Sequence, residues 1–190
     1  MIYTNIESEK NAVHTVAELM LAAARTAPKG RGVDNIETFI VDGEEKDNLA
    51  EEMRKISVEV GGEGPFDRDS HNVDSSECIV IMGVKNNPLG MSSFCGMCGF
   101  GDCPGATSAG ASCVFNSSDL GIALGSAVSV AADNRIDCRI MYSIGKAALR
   151  MQGLFSESVR IAYGIPLSVS GKSIFFDRGI APYVVSGGAK

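Results

Sequence analysis

The sequence predicts an α+β chain, α/β-like in its alternation, in which helices flank a sheet and a long cysteine-rich loop is inserted. Three observations carry this. Apolar residues recur at helical spacing in several segments, and two runs of strand length lie between them. Residues 86–116 then lose all periodicity while holding four of the six cysteines. A loop of that length inside a compact domain needs a reason, and a bound cofactor is one.

Residues 7–27 read as the first helix, with Val13, Val16, Ala17, Met20 and Ala24 on one face, and Pro28 and Gly30 end it. A loop follows with two cationic side chains, Lys29 and Arg31. Ile36 to Val41 has strand character and closes on the turn pair Asp42-Gly43. Glu44 to Ile56 reads as a helix with acids at its start and Leu49, Met53 and Ile56 on one face. Gly61 to Asn72 reads as a polar, turn-rich stretch, in which Phe66-Asp-Arg-Asp69 suggests a turn anchored by charge pairs. Cys78 to Met82 is a continuous apolar run, as expected of a strand buried on both faces. Ser117 and Ser118 offer caps for a helix through about Ala132 that is apolar nearly all round and therefore central. Arg139 to Arg150 reads as a further helix and Arg160 to Ser170 as a strand around Pro166. The 190 residues suit one domain, residues 1–190, with the 86–116 loop inside it.

Charge and motifs exclude several functions. Of the 23 acidic residues, 14 lie between Asp34 and Glu77, against four basic ones there. Such a surface repels phosphate backbones, so no nucleic-acid partner is expected. No apolar run reaches the ~20 residues that span a bilayer, and the polar, acidic start is no signal peptide. The expected compartment is the cytoplasm, with no membrane association, so the six cysteines should not be read as three disulfides. Gly30-Arg-Gly32 follows a helix rather than a strand and is not a dinucleotide fingerprint. A P-loop and a G-x-S-x-G elbow are both missing, which leaves kinase and hydrolase readings unsupported. His14 and His71 have no neighbouring cysteine or second histidine, so a solvated or hydrogen-bonded role is expected before a ligand or acid–base role.

The chemistry concentrates in Cys95-Gly-Met-Cys98-Gly-Phe-Gly-Asp-Cys103, with Cys113 beyond it. Four thiolates hold an iron–sulfur cube, and a two-residue gap sets two sulfurs on one side of a turn. The expected cofactor is one [4Fe-4S] cluster on Cys95, Cys98, Cys103 and Cys113, with the glycines at 96, 99 and 101 donating N–H groups to sulfur. Structural zinc also uses four cysteines, usually as two short-spaced pairs, and a redox dithiol at Cys95 and Cys98 is a further alternative. Cys78 and Cys138 sit in apolar surroundings and read as core fillers.

The cysteine motif resembles the short C-x-x-C-G-x-x-x-C…C domain of bacterial four-iron proteins. The wider chain resembles a prokaryotic family described as containing a ferredoxin domain, through residues 22–35, 119–127, 164–172 and 175–178. The start is also similar to nitroreductase-like flavoproteins: Ala23-Ala-Arg-Thr-Ala-Pro28 matches the end of their first helix, and Asn35 takes the place of their following asparagine. That resemblance implies a nitroreductase-like sheet flanked by helices, a homodimer, and FMN. It would make the chain an oxidoreductase or electron-transfer flavoprotein serving a redox partner protein or a small-molecule electron acceptor. Two departures bear on flavin: residues 1–9 lack Arg and Lys, and Lys29 stands where those proteins have Ser. The flavin phosphate would then need Lys29, Arg31, Lys172 and Arg178, with Asn35 as a further contact. A flavin-free carrier or sensor and a zinc-stabilised binding module are the alternatives.

Overall fold

The computed structural model describes residues 2–62, 64–92 and 94–176. Helix α1, Asn5–Thr26, opens on a capping box: the Thr4 hydroxyl accepts from Glu7 N at 3.2 Å, and the Glu7 carboxylate accepts from Thr4 N at 3.1 Å. Thr4→Ala removes one of these bonds and should cost about 1 kcal/mol of stability in urea unfolding. Strand β1, Ile36–Val41, leads through Asp42 into α2, Gly43–Glu59. Helix α3, Pro65–Asp74, and strand β2, Cys78–Lys85, come next, followed by a short helix α4, Cys103–Ser108, inside the cysteine loop. Helix α5, Val114–Asp133, precedes the two-residue strand β3, Asp137–Cys138, helix α6, Tyr142–Ala148, and strand β4, Val159–Ser168.

The four strands pair antiparallel in the order β1-β2-β4-β3. β2 lies at the centre and is buried from Cys78 to Val84, so its two faces divide the core. Cys78, Val80, Met82 and Val84 pack with α1 and α5; Ile79 and Ile81 pack with α2, α3 and α6. The expected two-sided burial of this strand is what the fold shows.

Three local readings are corrected. The stretch read as polar turns contains α3, which buries Phe66, Asp69, Ser70, Asn72 and Val73. Its signal was Pro65 at the first helical position after Gly64, and its buried polar side chains are hydrogen-bonded, Ser70 and Asn72 to carbonyls of their own helix. Asp69 accepts from Ser143 on α6 and from the Arg68 guanidinium. Second, α5 begins at Val114 rather than at Ser117, with Cys113 as its N-cap. Third, α5 has the length and a mean hydropathy of 1.2 that a membrane crossing requires. It nevertheless buries Leu120, Ala123, Leu124, Ala127 and Ala131 within this fold, packed with α1 and the sheet.

One surface carboxylate ties stability to pH. Glu37 on β1 accepts from Ser156 N at 3.0 Å, Ser156 Oγ at 2.6 Å and Lys85 Nζ at 3.2 Å. Partial burial pushes its carboxyl up, but the Ser156 hydrogen bonds and Lys85 outweigh this and hold it below its ordinary value. Lowered in the fold, it stabilises above the ordinary carboxylate range, and that contribution fades as pH falls through the folded-state value. The stability gap between the native chain and Ser156→Ala, read as urea midpoints, should therefore be widest near neutral pH and shrink in acid.

Candidate metal centre

The four predicted cysteines line one small cavity together with Pro88, Ala106, Val114 and Phe115. All four are free thiols and partly exposed. Cys95 and Cys98 sit on a tight turn, where Gly96 and Gly99 have φ of 60° and 80°, conformations an L side chain rarely adopts. That turn closes with Gly99 N donating to Gly96 O at 3.1 Å. The expectation that the Gly99 amide serves sulfur is thus not met: the turn consumes it. Cys103 opens α4, whose cap is Asp102: its carboxylate accepts from Gly105 N at 2.6 Å, and Pro104 follows inside the first turn. The sequence Asp-Cys-Pro signalled this helix, which the absence of a longer periodicity concealed.

Side chains from outside the cysteine turn hold the loop in place. Asn86, at the exit of β2, accepts from Cys113 N at 3.3 Å and donates to Ala111 O at 3.1 Å. Its neighbour Asn87 donates from its backbone to Asn116 Oδ1 and from its side chain to Asn35 Oδ1, both at 3.0 Å. These bonds explain why α5 starts at Val114: its first turn is anchored by distant partners rather than by a local serine cap. Ser92 Oγ accepts from Cys103 N at 3.0 Å. Arg31, with φ of 57°, donates to Leu89 O at 2.6 Å. Gly30 N lies between both oxygens of buried Asp119, at 3.0 and 3.1 Å. A Cβ on Gly30 would come within 2.6 Å of Leu89 Cδ1 and 3.2 Å of the Phe115 ring, so a larger residue there would push the Leu89 side chain aside.

A family described as "uncharacterized protein containing a ferredoxin domain" matches residues 109–178, a span that includes Cys113. An uncharacterised protein of Archaeoglobus fulgidus is 40% identical over 187 residues, covering 94% of this chain and 98% of its own length. The chain belongs to the ferredoxin-domain family. In fold, this ferredoxin-domain chain is similar to a nitroreductase family protein from Clostridium novyi, with a TM-score of 0.52 and 17% identity over 82% of this chain and 73% of that one. It is likewise similar to a nitroreductase with bound FMN from Desulfitobacterium hafniense, with a TM-score of 0.52 and 14% identity over 91% and 81%. The expected nitroreductase-like sheet flanked by helices is the fold observed.

In the ferredoxin-domain chain two of the described residues expected to meet flavin, Lys29 and Arg31, are each engaged by backbone carbonyls. Lys29 Nζ donates to Ala24 O, Arg25 O and Ala27 O at 2.8 to 2.9 Å, closing the C-terminus of α1. Arg31 is spent on Leu89 O. Lys172 lies in the bend after β4, and Arg178 lies outside the described residues. Asn35 is buried, with its Nδ2 unpartnered, and the same holds for Asn116 Nδ2. The backbone donor of Asn87 fixes the orientation of the Asn116 amide, so a flip of that group cannot satisfy it. His14 lies 3.6 Å from Asp42 and 3.7 Å from Glu77, and His71 lies 3.9 Å from Asp74.

The two remaining cysteines are separate from the cavity. Cys78 on β2 and Cys138 on β3 both pair with Leu167 on β4 between them, two strand spacings apart and out of disulfide reach. Burial pushes the Cys78 thiol up to about 12 and also raises that of Cys138, so both stay protonated.

Proposed function

We propose that this ferredoxin-domain protein is a redox protein that carries one [4Fe-4S] cluster on Cys95, Cys98, Cys103 and Cys113. The single observation behind this reading is that four free thiols, drawn from a turn, a helix start and a helix N-cap, line one cavity. Among the described residues, no three His, Cys, Asp or Glu side chains converge on a position for a single metal ion. One zinc ion would draw its sulfurs to about 2.3 Å from a common centre. Zinc and a cube of several metal ions would both take these four thiolates, and the uneven spacing, with a single C-x-x-C, favours the cube. When bound, such a cluster takes up and releases single electrons.

The chain's own residues supply the rest. The cysteines hold the centre, and Asn86, Asn87 and Ser92 hold the loop that carries them. Phe94, Met97 and Phe100 are exposed on that loop, and Asp102 is the one Asp, Glu, Lys or Arg between Asn86 and Asn116. This gives a largely apolar face for a redox partner protein or a small electron acceptor. We extend the proposal to a cytoplasmic homodimer, in which a second copy would cover apolar side chains such as Leu19 on α1 and Ile122 on α5.

FMN is the finer part of the reading. The orphaned amides of Asn35 and Asn116 suit the carbonyl edge of a flavin ring, since a buried donor left unpaired costs about 1–3 kcal/mol. The phosphate side has weaker support, because Lys29 and Arg31 are engaged internally. That engagement favours the second reading, a flavin-free electron carrier or sensor. Iron, sulfide, zinc and flavin measured together on protein prepared without oxygen test all of these. Four iron and four sulfide per chain support the cluster, with flavin separating enzyme from carrier. Stoichiometric zinc without iron would overturn the redox reading.

A further inference from the structure

We propose that Ser92 and Asn86 are positioning residues that lower the reduction potential of the cysteine-held centre by drawing ligand amides away from sulfur. The inference rests on the iron–sulfur reading above. Cys103 N donates to Ser92 Oγ at 3.0 Å and Cys113 N to Asn86 Oδ1 at 3.3 Å. Cys95 N donates to Met91 O at 3.0 Å, and Gly99 N is closed on Gly96 O at 3.1 Å. Three of the four ligand amides and the glycine amide next to Cys98 therefore point at oxygen.

The physical consequence has a definite sign. Reduction adds one electron to the centre and makes it more negative, with no bond made or broken. An N–H dipole aimed at sulfur stabilises that added charge and favours the reduced form. An N–H held by a hydroxyl or carboxamide oxygen does not. The centre is thereby set toward the low end for its type, suited to giving up electrons. Ser92 and Asn86 lie 11 and 27 residues before the cysteines they engage, so this lever is separate from the ligands themselves.

The test is a redox titration of the full chain, prepared without oxygen and followed by electron paramagnetic resonance, with iron and sulfide counted. In Ser92→Ala the Cys103 amide loses its acceptor and becomes available to sulfur. Its reduction equilibrium should shift about tenfold toward the reduced form, which is about 59 mV for a one-electron couple. Ser92→Thr keeps the hydroxyl and should keep the wild-type potential. Asn86→Ala should shift the potential in the same direction through Cys113, and it serves if Ser92→Ala fails to hold its cluster. Unmoved or lowered potentials in alanine variants with full iron and sulfide overturn this proposal and leave the cluster reading standing; lost thermal stability alone has the same meaning. A wild-type chain without iron and sulfide would sink the cluster reading, and this proposal with it.

Discussion

Gly145→Ala is expected to destabilise the chain by roughly 3 kcal/mol or more, beyond the usual range for one added methyl group. Gly145 on α6 lies directly against β4. A Cβ built there would sit 1.8 Å from Ala162 O, 2.2 Å from Ala162 C and 2.6 Å from Tyr163 N. Every one of these atoms is backbone, so no side chain can swing away to relieve the clash. The same seam is tight from the other side: a Cβ on Gly164 would meet Ile144 Cγ2 at 2.0 Å. Relief requires α6 to lift off the sheet, which would expose Ile144, Ala147 and Ala148 from the second core cluster. Gly121 on α5 is the control. Nothing lies within 4 Å of its added Cβ, so Gly121→Ala should be neutral or stabilise by up to about 1 kcal/mol. Urea unfolding of the two variants side by side decides the matter, and equal midpoints would contradict the α6–β4 packing described.

With the proposed cluster on the four cysteines, Cys113→Ser should empty the site. Serine offers oxygen where thiolate sulfur is needed, and Cys113 joins the other three ligands from the start of a different helix. Iron and sulfide per chain should fall toward zero, and the visible absorption of the anaerobic protein should fall with them. Because binding free energy is also folding free energy, the thermal midpoint should drop toward that of chelator-treated wild type. Cys78→Ala provides the contrast. Its thiol is fully buried, pushed up to about 12 and remote from the cavity, so metal content should stay intact while packing suffers. Full iron in Cys113→Ser would show that the ligand set is wrong.

The sequence was most legible where partners are close along the chain. The spacing of Val13, Val16, Ala17, Met20 and Ala24 placed α1, and the buried run from Cys78 placed the central strand. The cysteine spacing singled out the four residues that line the cavity. Reading failed where a polar residue's partner is distant. Asp69 of α3 looked solvated because Ser143, whose hydroxyl donates to it, lies 74 residues away. Ser117 looked like a cap because nothing local announced that Asn86 and Asn87 would anchor the first turn of α5.

By itself the sequence determined the alternation of helices and strands, the two-sided burial of β2 and the identity of the candidate metal ligands. Each follows from periodicity or spacing over a few turns of chain. Only the tertiary structure decided what the loop cations and amides do. Arg31 reaches Leu89 O across 58 residues and Gly30 reaches Asp119 across 89, so groups free to meet a ligand in sequence are consumed by the fold. The physical reason is that a buried hydrogen-bonding group must find a partner wherever one is near in space, and nearness in space between distant segments is set only when the sheet and its two helical layers close.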